Sequence, residues 1–192
     1  MASTFTIGHS NHPIGVFIAL LKTHRIEVVV DSRSYPRSKY APHFDAEALR
    51  YTLPKSRIEY LFLGNELGGR PEGSRYYDAD GRVLYGQVAE APFFQRGLAR
   101  LQQEMQRARV AVMCSEEDPA VCHRHLLIAR VLRDLGITLQ HIRADGRVQS
   151  EDELVAVDCQ PQLSLFDFSP VPEWKSIRSV LPKRPHSSSL AS

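Results

Sequence analysis

The chain has 192 residues, with 24 Lys and Arg against 22 Asp and Glu, a formal net charge of +2. That length suits one domain plus an extension, and an apolar share of 43% excludes whole-chain disorder. So small a net charge neither requires nor excludes a nucleic-acid partner, because local patches decide that.

The N-terminus "MASTFTIGHS" lacks the charged-then-apolar pattern of a secretory leader. No apolar run approaches the roughly 18 residues of a membrane span. With three cysteines and no disulfide-rich pattern, the prediction is a cytoplasmic protein with reduced thiols.

In chain order, "TFTIGHS" (4–10) predicts a strand leading into a loop. "PIGVFIALLKTH" (13–24) opens on Pro13, suited to a first helical turn, and continues with helical periodicity. "IEVVVDSR" (26–33) reads as a buried strand that ends in charge. "DAEALRYTLPKS" (45–56) predicts a helix capped by Asp45 and limited by Pro54. "IEYLFLGNELGG" (58–69) predicts a third strand.

An irregular stretch with tyrosines and glycines follows, and "YYDADGRVLYG" within it suits a lid or a β-hairpin around "ADGR". Residues 91–108 form an amphipathic helix pattern, 109–118 a fourth strand with its exit loop, and 119–136 a helix closed by Gly136. A last strand is predicted over 137–146.

This alternation predicts an α/β fold, a single Rossmann-like three-layer domain over residues 1–150 with a mostly parallel sheet of about five strands. Residues 151–192, punctuated by Pro161, Pro170, Pro172, Pro182 and Pro185, are predicted to be an extended or disordered tail.

Ligands of open α/β sheets bind beyond the carboxyl ends of the strands. The predicted strands deliver His9, Ser10 and Asn11, then Asp31 and Arg33, then Glu66, then Cys114 and Glu116 followed by Cys122, His123 and Arg124. So many capable side chains on one rim point to a site.

Cys114 reads as a small core residue, as a thiolate, or as a ligand partnered by Cys122 and His123. The C-x7-C-H spacing is not a standard zinc arrangement and needs a fourth ligand such as His9, so no metal and no cofactor is expected. Asp31 reads as a cap or as an ion-pair partner of Arg33 or Arg124, or, with Glu66 and Glu116, as a candidate carboxylate for proton transfer or for stabilising a cationic transition state. "CHRH" suits a helix start that, with Arg124, binds an anion. "SRSYPRSKYAPHF" interleaves Arg33, Arg37 and Lys39 with Tyr35, Tyr40 and Phe44, which suits phosphate contact and base stacking, or an ordinary solvated loop.

At "FTIGHSN", "VDSRSYPRSKYAPHF", "ELGGR" and "VMCSEEDPAVCHR" the chain resembles the family called domain of unknown function 488. The resemblance implies a compact α/β domain and places His9, Ser10, Asn11, Asp31, Arg33, Glu66, Cys114, Glu116, Cys122, His123 and Arg124 in the family motifs. It implies no settled reaction.

In the tail, "QLSLF" (Gln162, Leu163, Ser164, Leu165, Phe166) is similar to the pentapeptide that binds the bacterial sliding clamp, the DNA polymerase III beta clamp. Gln162 supplies an orienting amide, and Leu163, Leu165 and Phe166 suit apolar pockets. Such a tether works by raising local concentration at DNA.

Together these readings predict a bacterial DNA-processing or repair enzyme, with DNA and the sliding clamp as partners and no membrane. The leading reaction is cleavage of the N-glycosidic bond of a damaged or modified base, with catalysis from among Asp31, Glu66, Glu116 and Cys114. His9, Ser10, Asn11, Arg33, Tyr35, Arg37, Cys122, His123 and Arg124 are the predicted substrate contacts. The alternatives are a metal-dependent nuclease using Asp31, Glu66 and Glu116, a non-catalytic DNA-binding adaptor, and a thiol reaction at Cys114.

Overall fold

Val28, Val29 and Val30 make up most of β2 (Val28–Asp31), and all three are buried. An unbroken apolar run is what a parallel strand covered on both faces requires. The computed structural model describes residues 4–158 and 173–181. In it β2 pairs in parallel with β3 (Glu59–Phe62) and β4 (Val110–Cys114). β1 (Thr4–Gly8) lies in parallel between β4 and β5 (Leu139–Ile142). The short β6 (Val148–Ser150) runs antiparallel to β5, giving the order β3-β2-β4-β1-β5-β6.

The period of two along the strands divides the core into two faces. Phe5, Ile7, Val29, Ala111 and Met113 face α1 (Ile14–Thr23) and α2 (Ala46–Thr52) and pack with Phe17, Leu21, Phe44 and Leu49. Val28, Val30, Val110 and Val112 face the other way, toward Phe94, Leu98, Leu101 and Leu127. That second layer holds α3 (Gly64–Leu67), α4 (Tyr85–Ala89), α5 (Pro92–Arg107) and α6 (Arg130–Asp134). Each fully buried side chain of this kind stabilises the fold by about 1.5–3 kcal/mol. The predicted three-layer, mostly parallel α/β fold is therefore present, with one antiparallel edge strand added.

Local chemistry explains where the elements differ from expectation. The third strand stops at Phe62 because Gly64–Leu67 winds into a helical turn. The helix predicted over 119–136 is broken into a 3-10 turn at Pro119–Val121, a π-helical stretch at Arg124–Ala129, and α6. Between the first two pieces Cys122 is extended, with φ −113° and ψ 143°. The hairpin reading of "ADGR" matches an antiparallel bridge between Tyr77 and Val83.

Two parts of the predicted tail are ordered against the domain. Residues Glu151–Asp158 form α7, and Glu151 and Leu154 are buried. Residues 173–181 form a strap: the Trp174 indole donates to the Leu126 carbonyl at 2.7 Å, and Ser176 N–H donates to the Val83 carbonyl at 2.8 Å. Val180 N–H donates to the Gly81 carbonyl at 3.1 Å. The "QLSLF" residues Gln162–Phe166 lie outside the described residues, between α7 and the strap. Among the described residues no helix is long and apolar enough to cross a membrane.

Candidate functional site

The exit from β2 is organised by one ion pair. The Arg33 side chain donates to both oxygens of Asp31, at 2.9 Å from Nε and 2.6 Å from Nη2. The Arg33 backbone N–H and the Tyr60 hydroxyl also donate to Asp31, at 3.1 and 2.7 Å. Asp31 is fully buried, so its carboxylate is occupied in fixing Arg33 and does not face a substrate.

On its far side Arg33 Nη1 lies 3.0 Å from His9 Nε2. The other His9 nitrogen, Nδ1, donates to the Ser10 carbonyl at 2.7 Å, which leaves Nε2 as acceptor for the guanidinium. Burial, with the Arg33 charge added, pushes the His9 pKa down to about 4, so the ring is neutral at ordinary pH. His9 thus stands behind Arg33, stacked on Phe44 with ring centroids 4.4 Å apart.

The end of β4 brings the sulfur chemistry together. Cys114 Sγ lies 2.8 Å from Glu116 Oε2 and 3.6 Å from His123 Nδ1. Cys122 Sγ lies 3.3 Å from the same Glu116 oxygen and 3.7 Å from the same His123 nitrogen. His123 Nε2 donates to the Ser32 carbonyl at 3.1 Å, which orients the ring. Two glycines let these parts approach. A Cβ on Gly8 would lie 1.8 Å from the Glu116 carbonyl oxygen, and one on Gly69 would lie 2.9 Å from the His123 ring.

The hydrogen bond from Cys122, with His123 adding to it, holds the Cys114 thiol down to about 6 against the effect of burial. Burial instead pushes Cys122 well above the ordinary thiol range. Burial opposes charge on His123, but the adjacent Cys114 and Glu116 outweigh it and raise the ring's pKa. Burial likewise works to raise Glu116, and hydrogen bonds from Cys114 and Cys122 outweigh it, so the carboxylate stays ionised.

These groups floor a cavity of about 450 Å³, within the range of small-ligand sites. Its lining includes Arg33, Arg37, Arg70 and Arg178, while Glu116 is the sole carboxylate in the lining among the described residues. Tyr35, largely exposed, stands at the cavity with the Arg70 guanidinium 5.9 Å from its ring centre. One wall is the strap, from Ser176 to Val180.

Of the predicted catalytic residues, Cys114 and Glu116 line this cavity; Asp31 is tied to Arg33, and Glu66 is drawn to Arg100 on α5 at 2.6 Å. Of the predicted contacts, Arg33, Tyr35, Arg37, Cys122 and His123 line it. His9, Ser10, Asn11 and Arg124 do not; Arg124 is buried and donates to the Glu117 carbonyl. Sequence reasoning missed Arg70, Tyr85 and the strap. The available signal was the apolar trio Trp174, Ile177 and Val180 in a segment otherwise rich in Pro and Ser.

A sequence model described as Domain of unknown function DUF488 matches residues 13–131, more than half of the chain. The chain belongs to this family. No curated protein and no solved structure matches it. The span matched to DUF488 contains the Asp31–Arg33 pair and the whole Cys114-to-His123 loop, whereas β1 and the strap lie outside it.

Proposed function

We propose that this DUF488 protein is a bacterial DNA-processing enzyme recruited by the sliding clamp, whose cavity takes an extruded nucleobase and cleaves its N-glycosidic bond. The observation that carries this reading is Glu116, an ionised carboxylate on the floor of a cavity whose other charged lining side chains include four arginines. Arginines suit the phosphates flanking an extruded nucleotide. A carboxylate facing the sugar stabilises the oxocarbenium character that develops as the base leaves with the bonding electron pair, and it orients the water that adds to the sugar carbon. Tyr35 offers an aromatic face for stacking. The "QLSLF" segment supports delivery of this pocket to DNA at the clamp.

The nuclease alternative built on Asp31, Glu66 and Glu116 has less support. Asp31 is held by Arg33 and Glu66 by Arg100, so the three carboxylates do not converge on one ion.

The test is a panel of oligonucleotides carrying varied base lesions, assayed for abasic sites and for strand cuts. Abasic-site formation that is lost in Glu116→Gln and kept in Glu66→Gln is the expected result. Strand cleavage without an abasic intermediate would replace this reading with the nuclease. DNA binding with no product on any substrate would replace it with the adaptor.

A further inference from the structure

We propose that Cys114 Sγ, Cys122 Sγ and His123 Nδ1 bind a zinc ion, with one coordination position left toward the cavity and Glu116. With Zn–S about 2.3 Å and Zn–N about 2.0–2.1 Å, tetrahedral geometry separates a ligand sulfur from a ligand nitrogen by about 3.6 Å. The two separations in the protein are 3.6 Å for Cys114 and 3.7 Å for Cys122. All three donor atoms lie within 4.8 Å of one another, and all three residues are buried.

The His123 ring carries an independent sign. A histidine that ligates metal through one nitrogen characteristically donates its other N–H to a carbonyl or carboxylate. Here Nε2–H donates to the Ser32 carbonyl, which fixes the tautomer and leaves the Nδ1 lone pair directed at the two sulfurs. Both sulfurs sit at nearly the same distance from Nδ1, as two ligands placed around one ion do. One cation between the three atoms satisfies all of them together.

Glu116 Oε2 lies 2.8 Å from one sulfur and 3.3 Å from the other, so the carboxylate borders the same centre. Three protein ligands with an open fourth position is the pattern of zinc sites that activate water, and Glu116 stands where it can take the proton of such a water. The unusual C-x7-C-H spacing is accommodated by the fold: β4 ends at Cys114, the Pro119–Val121 turn reverses the chain, and extended Cys122 returns its thiol.

The test uses the full chain, purified without a histidine tag, with metal content measured by mass spectrometry. The expected result is stoichiometric zinc, lost in Cys122→Ser and in His123→Asn. A second buried cluster, His125, His141 and Glu151, is controlled for by His141→Asn, which is expected to retain the metal. Replacement by cobalt is expected to give the intense thiolate-to-cobalt charge-transfer absorption of a tetrahedral site, a readout that needs no variant to fold. Chelation is expected to open Cys114 and Cys122 to alkylation, mapped by peptide mass spectrometry. A folded protein that takes up no zinc, or cobalt bound without the thiolate band, or a Cys114–Cys122 disulfide forming at the same rate with and without added zinc, would overturn the proposal. None of these readouts depends on a reaction, so they are independent of the outcome of the lesion panel.

Discussion

Asp31 and Arg33, two positions apart on the exit from β2, form a buried two-point ion pair with contacts of 2.9 and 2.6 Å. The pair makes the Arg33 guanidinium a fixed part of the cavity wall, with His9 behind it as a neutral acceptor at 3.0 Å.

Asp31→Asn is therefore expected to act on stability first. It removes the charge partner of an arginine that is 4% exposed, and breaking a buried pair from one side costs about 3–5 kcal/mol. Urea unfolding checks this. An unchanged midpoint combined with lost activity would instead make Asp31 a reacting group.

His9 gives a pH signature. Its pKa is about 4 in the folded protein against an ordinary 6.5, so the unfolded chain takes up this proton first as pH falls. Its contribution is fully present above pH 6.5 and declines progressively toward pH 4, by up to about 3 kcal/mol. Stability curves at pH 7 and pH 4.5 check it: His9→Gln should flatten the difference between them. An equally steep loss in the variant would assign the effect to other groups.

The strap hangs on Trp174, whose indole bonds to Leu126 and whose ring lies 4.3 Å from the Arg130 guanidinium carbon. Trp174→Ala is expected to cost about 2 kcal/mol at the strap through the lost hydrogen bond and packing. Limited proteolysis should then cut residues 173–181 faster while the sheet stays resistant. Equal cutting rates would show that the backbone bonds to Gly81 and Val83 hold the strap alone.

On the proposed tether reading, in which the two side chains fill pockets of the clamp, Leu165→Ala combined with Phe166→Ala is expected to remove clamp binding and leave the thermal midpoint unchanged. Surface plasmon resonance against the bacterial clamp, with circular dichroism as the control, measures both. Retained binding would end the tether reading.

The sheet was legible because "IEVVVDSR" and "RVAVMCSEED" carry unbroken apolar runs that end abruptly in charge. The same abruptness put Cys114, Glu116 and Arg33 on the site rim. What a linear reading does not supply is which strand-end side chains find partners. In sequence Glu66 is equivalent to Glu116; in the fold Arg100, 34 positions later, holds it. The sequence leaves the sulfur cluster as one of three readings of Cys114, because its closure depends on an extended Cys122 inside what the sequence pattern makes one helix. The strap is not legible in the sequence because Trp174 meets Leu126 across 48 positions.

The order of the strands has a consequence for how the protein is made. β1 leaves the ribosome before the other strands of the sheet, yet its neighbours there are β4 and β5, with Phe5 opposite Ala111 and Thr4 opposite Leu139. The last cavity wall, Ser176 to Val180, comes later still. A nascent chain therefore carries Cys114, Glu116 and His123 before it carries the wall that encloses them. Enclosure of the site waits for synthesis of the strap.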